Sequence, residues 1–173
     1  QRFIVDDYVP VYPDPAKRVP LVVHSPSAPI AKGTSAVLRA VEELKGKIDF
    51  EFRLIQGMPR TQALALVRQA DIFLDQFVWG DRGMAALEAM ALGKPVICWI
   101  KPQLVPLYPA DNPIINASQD TLSAILELLL RDGTRRHMVG RQGRAFVERE
   151  YHVPTIAGAL VDMYIDVLHF SRR

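Results

Sequence analysis

Short apolar runs alternate with stretches of helical periodicity along most of the chain, and this alternation limits the possible folds more than any other feature. Strands that alternate with helices form a parallel sheet, because each crossover helix packs on a face of the sheet. Parallel strands are buried on both faces, which suits runs that are apolar throughout. We therefore predict an α/β fold with strands within 21–24, 50–56, 71–76, 95–100 and 113–116, and helices near 34–46, from 61, and over 83–92, 120–131, 134–150 and 154–169.

The chain of 173 residues suits one domain with additional segments at its two ends. Residues 1–19 contain three prolines, which disfavour a helix, so we predict an arm or linker there. The domain itself is expected to cover 20–152. Residues 153–173 then form a C-terminal segment with a helix that begins near Pro154. The chain begins with Gln1 rather than Met, which suggests a piece of a longer protein.

Composition and charge argue against several classes of function. The net charge is +2 and the basic residues are scattered, so the sequence predicts no nucleic-acid partner. No run of about eighteen apolar residues has the pattern of a transmembrane helix, and no signal-peptide pattern is present at the N-terminus. The single cysteine, Cys98, lies within an apolar run and rules out an intramolecular disulfide. These features are typical of a globular protein in a reducing compartment.

Glu88 is the only charged residue in the helical segment GMAALEAMAL, which covers 83–92. The residues three and four positions away share its face of the helix, and all of them are apolar. A buried carboxylate without a partner costs roughly several kcal/mol. The side chain therefore needs a donor, either a protein group or a ligand that carries hydroxyl groups.

Two further residues lie where an open α/β sheet binds its ligands, beyond the carboxyl ends of the strands. Gly83 opens the helix of Glu88, and a helix start offers unpaired N–H groups and partial positive charge to an anion. Lys32 follows the first strand and could add a full charge, although the sequence by itself slightly favours a solvated loop lysine. An anion site at this edge is therefore a hypothesis.

Other polar residues leave alternatives open. Asp75 follows the third strand and points to the ligand edge, whereas Asp71 precedes that strand and suits a cap or a turn. His24 is either a ligand-contacting residue or an ordinary hydrogen-bonded one. The histidines lack ligand spacing, so no metal site is expected. The glycine-rich sequences of dinucleotide and P-loop sites are also missing, and no cofactor is expected.

The segments HSPSAPIAKGT, ADIFLDQ and GMAALEAMALGKPVICWI occur in this order. In that combination the chain resembles the C-terminal, donor-binding domain of retaining glycosyltransferases of the GT-B fold, in the family 4-like group (glycosyl transferases group 1). The resemblance covers roughly 19–167. It implies a Rossmann-like parallel sheet of about five or six strands with helices on both faces. An acceptor-binding N-terminal domain, missing from this chain, would face it across a cleft, and the helix within 153–173 is expected to cross onto that domain.

The resemblance also implies roles for individual residues. Glu88 corresponds to the glutamate that binds the ribose hydroxyls of the nucleotide, and a carboxylate facing a diol is well satisfied. Gly83 and Met84 correspond to the helix start whose N–H groups meet the diphosphate. Lys32 corresponds to the catalytic basic residue that stabilises the departing nucleoside diphosphate, an electrostatic role that usually requires no metal.

The implied partner is a sugar nucleotide, and Gly57 and Met58 would lie near its base. The implied function of the full-length protein is transfer of a hexose from a nucleoside-diphosphate sugar to an unknown acceptor, with retention of configuration. The isolated chain is expected to be inactive. A cytoplasmic location is expected, with any membrane contact made at the inner face through the full-length protein.

One departure from the family pattern leaves an alternative open. The family usually carries another glutamate eight positions before Glu88 that contacts the donor sugar, and here that position is Gly80, with Asp81 beside it. The alternative is a degenerate GT-B domain that serves as a nucleotide-binding or scaffold module. A sugar-nucleotide epimerase shares the fold but would be expected to have more carboxylates and histidines. Without the resemblance, a flavodoxin-like domain with Glu88 in a structural salt bridge would be favoured.

Overall fold

The computed structural model describes residues 3–151, together with Met163 and Tyr164. The described strands are β1 Leu21–His24, β2 Glu51–Leu54, β3 Ile72–Leu74, β4 Val96–Cys98 and β5 Ile115–Asn116. The described helices are α1 Pro29–Lys32, α2 Thr34–Leu44, α3 Arg60–Gln69, α4 Met84–Ala91, α5 Leu122–Arg131 and α6 Gly133–Tyr151, with short 3-10 helices at Val5–Asp7 and Val105–Leu107. The predicted helix over 154–169 lies outside the described residues, apart from Met163 and Tyr164.

The described strands form one parallel sheet in the order β2-β1-β3-β4-β5. His24 pairs with Leu54 on one side and with Leu74 on the other, and Leu74 pairs with Ile97. The carboxyl ends of neighbouring strands therefore lie level at one edge, which we call the carboxyl edge. This arrangement confirms the predicted α/β, Rossmann-like sheet, and each observed strand lies within its predicted segment.

Helices cover both faces of the sheet, as the alternating pattern predicts. On one face α2 packs against α5, and their apolar side chains join Val22 and Ile72 of the strands in one buried cluster. On the other face α4 packs against α6, and the cluster there includes Val23 and Phe73. Since consecutive strand residues point to opposite faces, β1 and β3 each supply both clusters. Burial on both sides explains why these strands are uniformly apolar.

The segment 1–19, predicted as an arm or linker, packs on the domain over its described part. Val5 and Tyr8 are 1% and 7% exposed. The N–H of Val11 donates to the carbonyl oxygen of Leu92 over 3.0 Å, and the ammonium of Lys94 donates to the carbonyl oxygen of Val11. These bonds place Tyr8 beside α3 and α4, which matters for the site described below.

The described residues lack both a membrane-spanning helix and a cluster of metal-ligating side chains. Within them, no helix is long and apolar enough to cross a bilayer. In the same residues, no group of three or more histidine, cysteine or acidic side chains is placed to hold a metal ion.

Candidate functional site

Lys32, Asp75 and Gly83 lie together at the carboxyl edge. Lys32 ends α1, a single helical turn within a segment that the sequence predicts as a loop. Its Nζ donates to Oδ1 of Asp75 over 2.7 Å, and the backbone N–H of Gly83 donates to Oδ2 over 2.7 Å. The side chain of Asp75 is 1% exposed and that of Lys32 is 17% exposed. The buried carboxylate of Asp75 therefore binds both Lys32 and Gly83, the two residues that the sequence predicts for an anion site.

A side chain on Gly83 would displace the ammonium of Lys32 from its place beside Asp75. A Cβ on Gly83 would lie 2.5 Å from Nζ of Lys32 and 3.2 Å from Oδ1 of Asp75. The residue caps α4, and the first-turn N–H groups of Met84 and Ala85 have no acceptor within the helix. Met84 is half-exposed, so the helix start faces the edge as expected. The N–H of Gly83 is bonded to Asp75, so a diphosphate at the helix start would have to compete with that carboxylate for it.

Glu88 lies one turn into α4, and protein donors hold one of its oxygens. Oε1 accepts the hydroxyl of Tyr8 over 3.0 Å and also accepts Nη2 of Arg60. The same Nη2 donates to the hydroxyl of Tyr8 over 2.8 Å, so the three side chains form a closed network. The described residues place no hydrogen bond on Oε2. Among the described residues, the carboxylate is thus anchored through Oε1 alone.

The network keeps its charges and protons in a defined arrangement. Burial, followed by the charge of Glu88, raises the pKa of Tyr8 to about 12, so its hydroxyl donates at neutral pH. The side chain of Arg60 is 42% exposed and that of Glu88 is 17% exposed. Because Arg60 is partly exposed to solvent, this ion pair lies at a cleft rather than inside the core.

A cavity of about 410 Å³ opens beside the network at the carboxyl edge. Its lining includes Gly57, Met58, Met84, Glu88 and Arg60. Apolar walls with a few polar groups are typical of small-molecule sites of this size. The structure thus brings four of the predicted site residues to one cavity, and Gly83 lies next to Met84 in the chain. Gly83 and Lys32 do not line the cavity, but Gly83 adjoins Met84 and Nζ of Lys32 lies beside Gly83. We call these two residues the margin of the cavity, and the cavity with its margin the candidate site.

A larger cavity of about 870 Å³ lies between the N-terminal arm and α3. Tyr8 and Arg60 line one end of it, and Asp71 and Lys94 line the other. It runs toward the amino ends of the strands, since Asp71 precedes β3 and Lys94 precedes β4. Open α/β sheets bind ligands at the opposite edge, so the smaller cavity is the better candidate.

His24 supports the site without facing it. The side chain is completely buried, and burial lowers its pKa, so the imidazole is neutral at neutral pH. Nδ1 lies 2.9 Å from the carbonyl oxygen of Leu74, and Nε2 lies 3.0 Å from the hydroxyl of Thr34. A neutral ring donates to the carbonyl through Nδ1 and accepts from Thr34 through Nε2. Of the two roles left open by the sequence, the structure supports the ordinary hydrogen-bonded one, which ties β1 to β3 and to the start of α2.

Gln76 shapes the loop between β3 and α4, and sequence reasoning missed it. Oε1 accepts the N–H groups of Val78, Trp79 and Gly80 over 3.1, 2.9 and 3.2 Å. Nε2 donates to the carbonyl oxygen of Trp99 over 2.7 Å. One buried amide therefore satisfies backbone groups of two loops. A glutamine that follows a strand carries no sequence signal for such a role.

Gly80 occupies a position where a side chain would overlap the side chain of Lys101. Its φ is +78°, and a Cβ there would lie 2.1 Å from Cγ of Lys101. The neighbouring Asp81 does not supply the carboxylate that the family usually has at position 80. Oδ1 of Asp81 accepts the N–H of Arg82 over 2.7 Å and the hydroxyl of Tyr108. Asp81 lines a different cavity, of about 440 Å³, together with Tyr108.

The sequence places this chain in a known protein family. The model of the family described as "Glycosyl transferases group 1" matches residues 47–146, more than half of the chain. The chain belongs to this family. The match to this group 1 domain includes α3, β3, α4 and β4, and hence Arg60, Asp75, Gly83 and Glu88. No curated protein sequence matches the chain significantly.

Solved structures with the same fold include several glycosyltransferases. TarM from S. aureus, in a complex that contains UDP, is 14% identical, with a TM-score of 0.60, and the alignment covers 91% of this chain and 38% of TarM. Anabaena HepE in complex with UDP is 15% identical, with a TM-score of 0.62 and coverage of 86% and 49%. The C-terminal domain of the group 1 protein LpcC from Francisella tularensis is 16% identical, with a TM-score of 0.61 and coverage of 88% and 100%. The group 1 domain thus spans less than half of TarM or HepE, but all of the separate LpcC domain.

Proposed function

We propose that the chain is the sugar-nucleotide-binding domain of a glycosyltransferase that transfers a hexose from a nucleoside-diphosphate sugar to an acceptor, with retention of configuration. The observation that carries the proposal is the anchored carboxylate of Glu88. Tyr8 and Arg60 hold Oε1, and Glu88 lines the candidate site. A fixed carboxylate oxygen suits a ribose diol, since an ionised carboxylate accepts hydrogen bonds from hydroxyl groups.

The rest of the candidate site suits the other parts of a nucleoside diphosphate. Gly57 and Met58 line the cavity on the side of β2, where a base would lie. The start of α4 and the ammonium of Lys32 lie at its margin, where negative phosphates would lie. HepE has been solved with UDP and with UDP-glucose, and TarM with UDP. These complexes support a sugar nucleotide as the ligand of this chain as well.

Chemically, the proposed contribution of this domain is electrostatic. Breaking the bond between the sugar and the diphosphate leaves its electron pair on the phosphate oxygen, so the departing nucleoside diphosphate gains one negative charge. Lys32 and the N–H groups at the start of α4 would stabilise that charge as it develops. Cationic and N–H groups in such positions can stabilise the charge of the departing nucleotide without a metal. The acceptor and its binding groups would come from the N-terminal domain of the full-length protein.

One observation favours a second candidate, a nucleotide-binding module without transfer activity. Position 80, where the family usually has a glutamate for the donor sugar, has a positive φ and lies against Lys101. No acid can be accommodated there without displacing Lys101. Turnover of a sugar nucleotide by the full-length protein would eliminate this candidate, whereas nucleotide binding without turnover would favour it.

The proposed ligand is tested by titration calorimetry of the 173-residue chain with UDP and with GDP. We expect binding of one of them, and a loss of about 10- to 100-fold in affinity in Glu88→Ala, because a hydrogen bond to a charged group contributes about 1.5–3 kcal/mol. Glu127→Ala is the matched control, since Glu127 is also a helical glutamate paired with an arginine, on the far face of the sheet. Equal affinities of wild type and Glu88→Ala, or absence of binding that persists when Asp75 is neutralised, would refute the proposal.

A further inference from the structure

Asp75 is a fixed anion inside the proposed diphosphate site. It follows β3 directly, and its N–H donates to the carbonyl oxygen of Ile97 over 3.0 Å, which holds the backbone in the sheet. Its two oxygens are 2.7 Å from Nζ of Lys32 and 2.7 Å from the N–H of Gly83, and Sγ of Cys98 lies 3.7 Å from Oδ2. With an exposure of 1%, the carboxylate cannot turn into solvent.

The two groups that Asp75 holds are also the groups proposed to meet the phosphates. The ammonium of Lys32 and the N–H of Gly83, which caps α4, are both bonded to the internal carboxylate of Asp75. A bound diphosphate must therefore compete with Asp75 for them. The carboxylate of Asp75 would also repel the negative diphosphate, and this repulsion is strong at a separation of a few ångströms in a poorly hydrated site.

Lys32 is freer than Asp75 to move when a ligand binds. Asp75 is buried at the end of a central strand, whereas Lys32 ends a single helical turn and has a long side chain that is 17% exposed. Gly83 lacks a Cβ, which would lie 2.5 Å from Nζ of Lys32. The ammonium can therefore move from the carboxylate toward a ligand while Asp75 stays in place.

We propose that Asp75 is a built-in competitor that weakens the hold of this domain on the diphosphate of its ligand. This inference rests on the proposed function and specifies how the site is regulated. The carboxylate keeps Lys32 aligned at the site margin when no nucleotide is bound. It also limits the affinity for the nucleoside diphosphate that remains after transfer, which favours product release, a step that often limits turnover.

The test compares the affinities of UDP and uridine for wild type and Asp75→Asn, or of GDP and guanosine if the chain prefers guanine. We expect Asp75→Asn to bind the diphosphate about tenfold more tightly, because one like charge is removed from the site. Binding of the nucleoside should be unchanged, since it carries no phosphate. If Asp75 had only a structural role, Asp75→Asn would instead lower the affinity for both ligands.

Asp71→Asn is the matched control. Asp71 is a buried acid at the other end of β3 that likewise holds one lysine and one backbone N–H, but it lies at the amino edge. Its replacement should change neither affinity. The gain in Asp75→Asn should be smaller in a Lys32→Met background, because release of Lys32 supplies part of it and relief of the charge repulsion supplies the rest. If Asp75→Asn does not fold, Asp75→Ser keeps one acceptor without the charge.

The outcomes separate the two proposals. If wild type binds the diphosphate through Glu88 but neither uncharged variant binds it more tightly, only the inference about Asp75 is overturned. If wild type, Asp75→Asn and Asp75→Ser all fail to bind any nucleoside diphosphate, the proposed function and this inference both fall. If binding becomes measurable only after Asp75 is neutralised, both are supported.

Discussion

Asp71 and Asp75 lie at opposite ends of β3, and each buried carboxylate accepts one lysine ammonium and one backbone N–H. Asp71 accepts Lys17 over 2.5 Å and the N–H of Leu21 over 2.7 Å. Asp75 accepts Lys32 and the N–H of Gly83, both over 2.7 Å. The two sites differ mainly in their place in the fold. Asp71 ties the arm to the amino edge, whereas Asp75 lies at the edge where a parallel sheet binds its ligands.

Asp71→Asn should destabilise the fold without affecting nucleotide binding. The change removes the charge that holds Lys17 and weakens the bond to Leu21, and breaking a buried ion pair costs about 3–5 kcal/mol. Since Lys17 is partly exposed, we expect a smaller loss, of about 2 kcal/mol, in the free energy of unfolding measured by urea denaturation. Glu42→Gln is the control. Its ion pair with Lys45 is exposed on both sides, and its loss should cost less than about 1 kcal/mol.

Tyr8→Phe should weaken nucleotide binding through Glu88. The phenylalanine keeps the packing but removes the hydroxyl that orients Oε1 and bonds to Arg60. We expect a loss of about 1 kcal/mol in stability and a loss of about fivefold in affinity for the nucleoside diphosphate, measured by calorimetry.

Tyr12→Phe serves as the control for this change. Tyr12 belongs to the same arm and packs its ring on Gly93 and His137, but its hydroxyl makes no hydrogen bond to the described residues. Equal affinities of Tyr8→Phe and wild type would show that the network does not position Glu88.

Gly80→Ala should be more destabilising than Gly46→Ala. Both glycines have a positive φ, of 78° and 75°, and an L side chain in that region costs about 1–2 kcal/mol. A Cβ at Gly46 meets nothing within 4 Å, whereas a Cβ at Gly80 overlaps the side chain of Lys101. We expect Gly80→Ala to cost about 1–3 kcal/mol beyond the control, measured as the difference in the free energies of unfolding. Similar losses in the two variants would mean that Lys101 moves away easily.

The stability of the fold should depend on Lys94 above neutral pH. Burial lowers the pKa of Lys94 from 10.5 to about 8. Between these values the unfolded state binds more protons than the folded state, so the free energy of unfolding rises with pH. The contribution of a buried charged Lys94 is therefore unfavourable below pH 8 and is relieved as the group loses its proton.

Lys94→Met isolates this effect. Between pH 7 and pH 10, the stability of wild type relative to Lys94→Met should increase by roughly 2–3 kcal/mol, measured by urea denaturation at each pH. Burial raises the pKa of Cys98 to about 12, which has the opposite effect on the pH dependence of stability. Because Cys98 is present in both proteins, the comparison cancels this effect. A difference that does not vary with pH would contradict the assignment.

Much of the fold could be predicted because its signals are local. Each apolar run is a strand, and each helix predicted within the described residues is present, because the period of the apolar pattern differs between strands and helices. The carboxyl edge follows from the chain order, so the placement of Asp75, Gly57 and the start of α4 could also be predicted. The helical turn α1 was missed because Pro29–Lys32 is too short to show a period.

The partners of Glu88 could not be predicted from sequence. Tyr8 and Arg60 are 80 and 28 positions away from it, and neither belongs to a motif. Arg60 directly follows the loop at the end of β2, which is a weak signal of its place at the edge. Tyr8 lies in a proline-rich segment predicted as an arm or linker, and only the packing of that segment against α3 and α4 brings its hydroxyl to the carboxylate.

The sequence by itself determined the order of strands and helices, the edge at which ligands would bind, and the presence of one acid in an apolar helix, since each depends on neighbours within a few positions. Only the tertiary structure decided which oxygen of Glu88 is engaged, that Asp75 occupies the donors expected for a phosphate, and that Gly80 lies against Lys101. Hydrogen bonds and steric contacts of this kind join residues from distant segments, and their distances exist only after the sheet and its loops have packed.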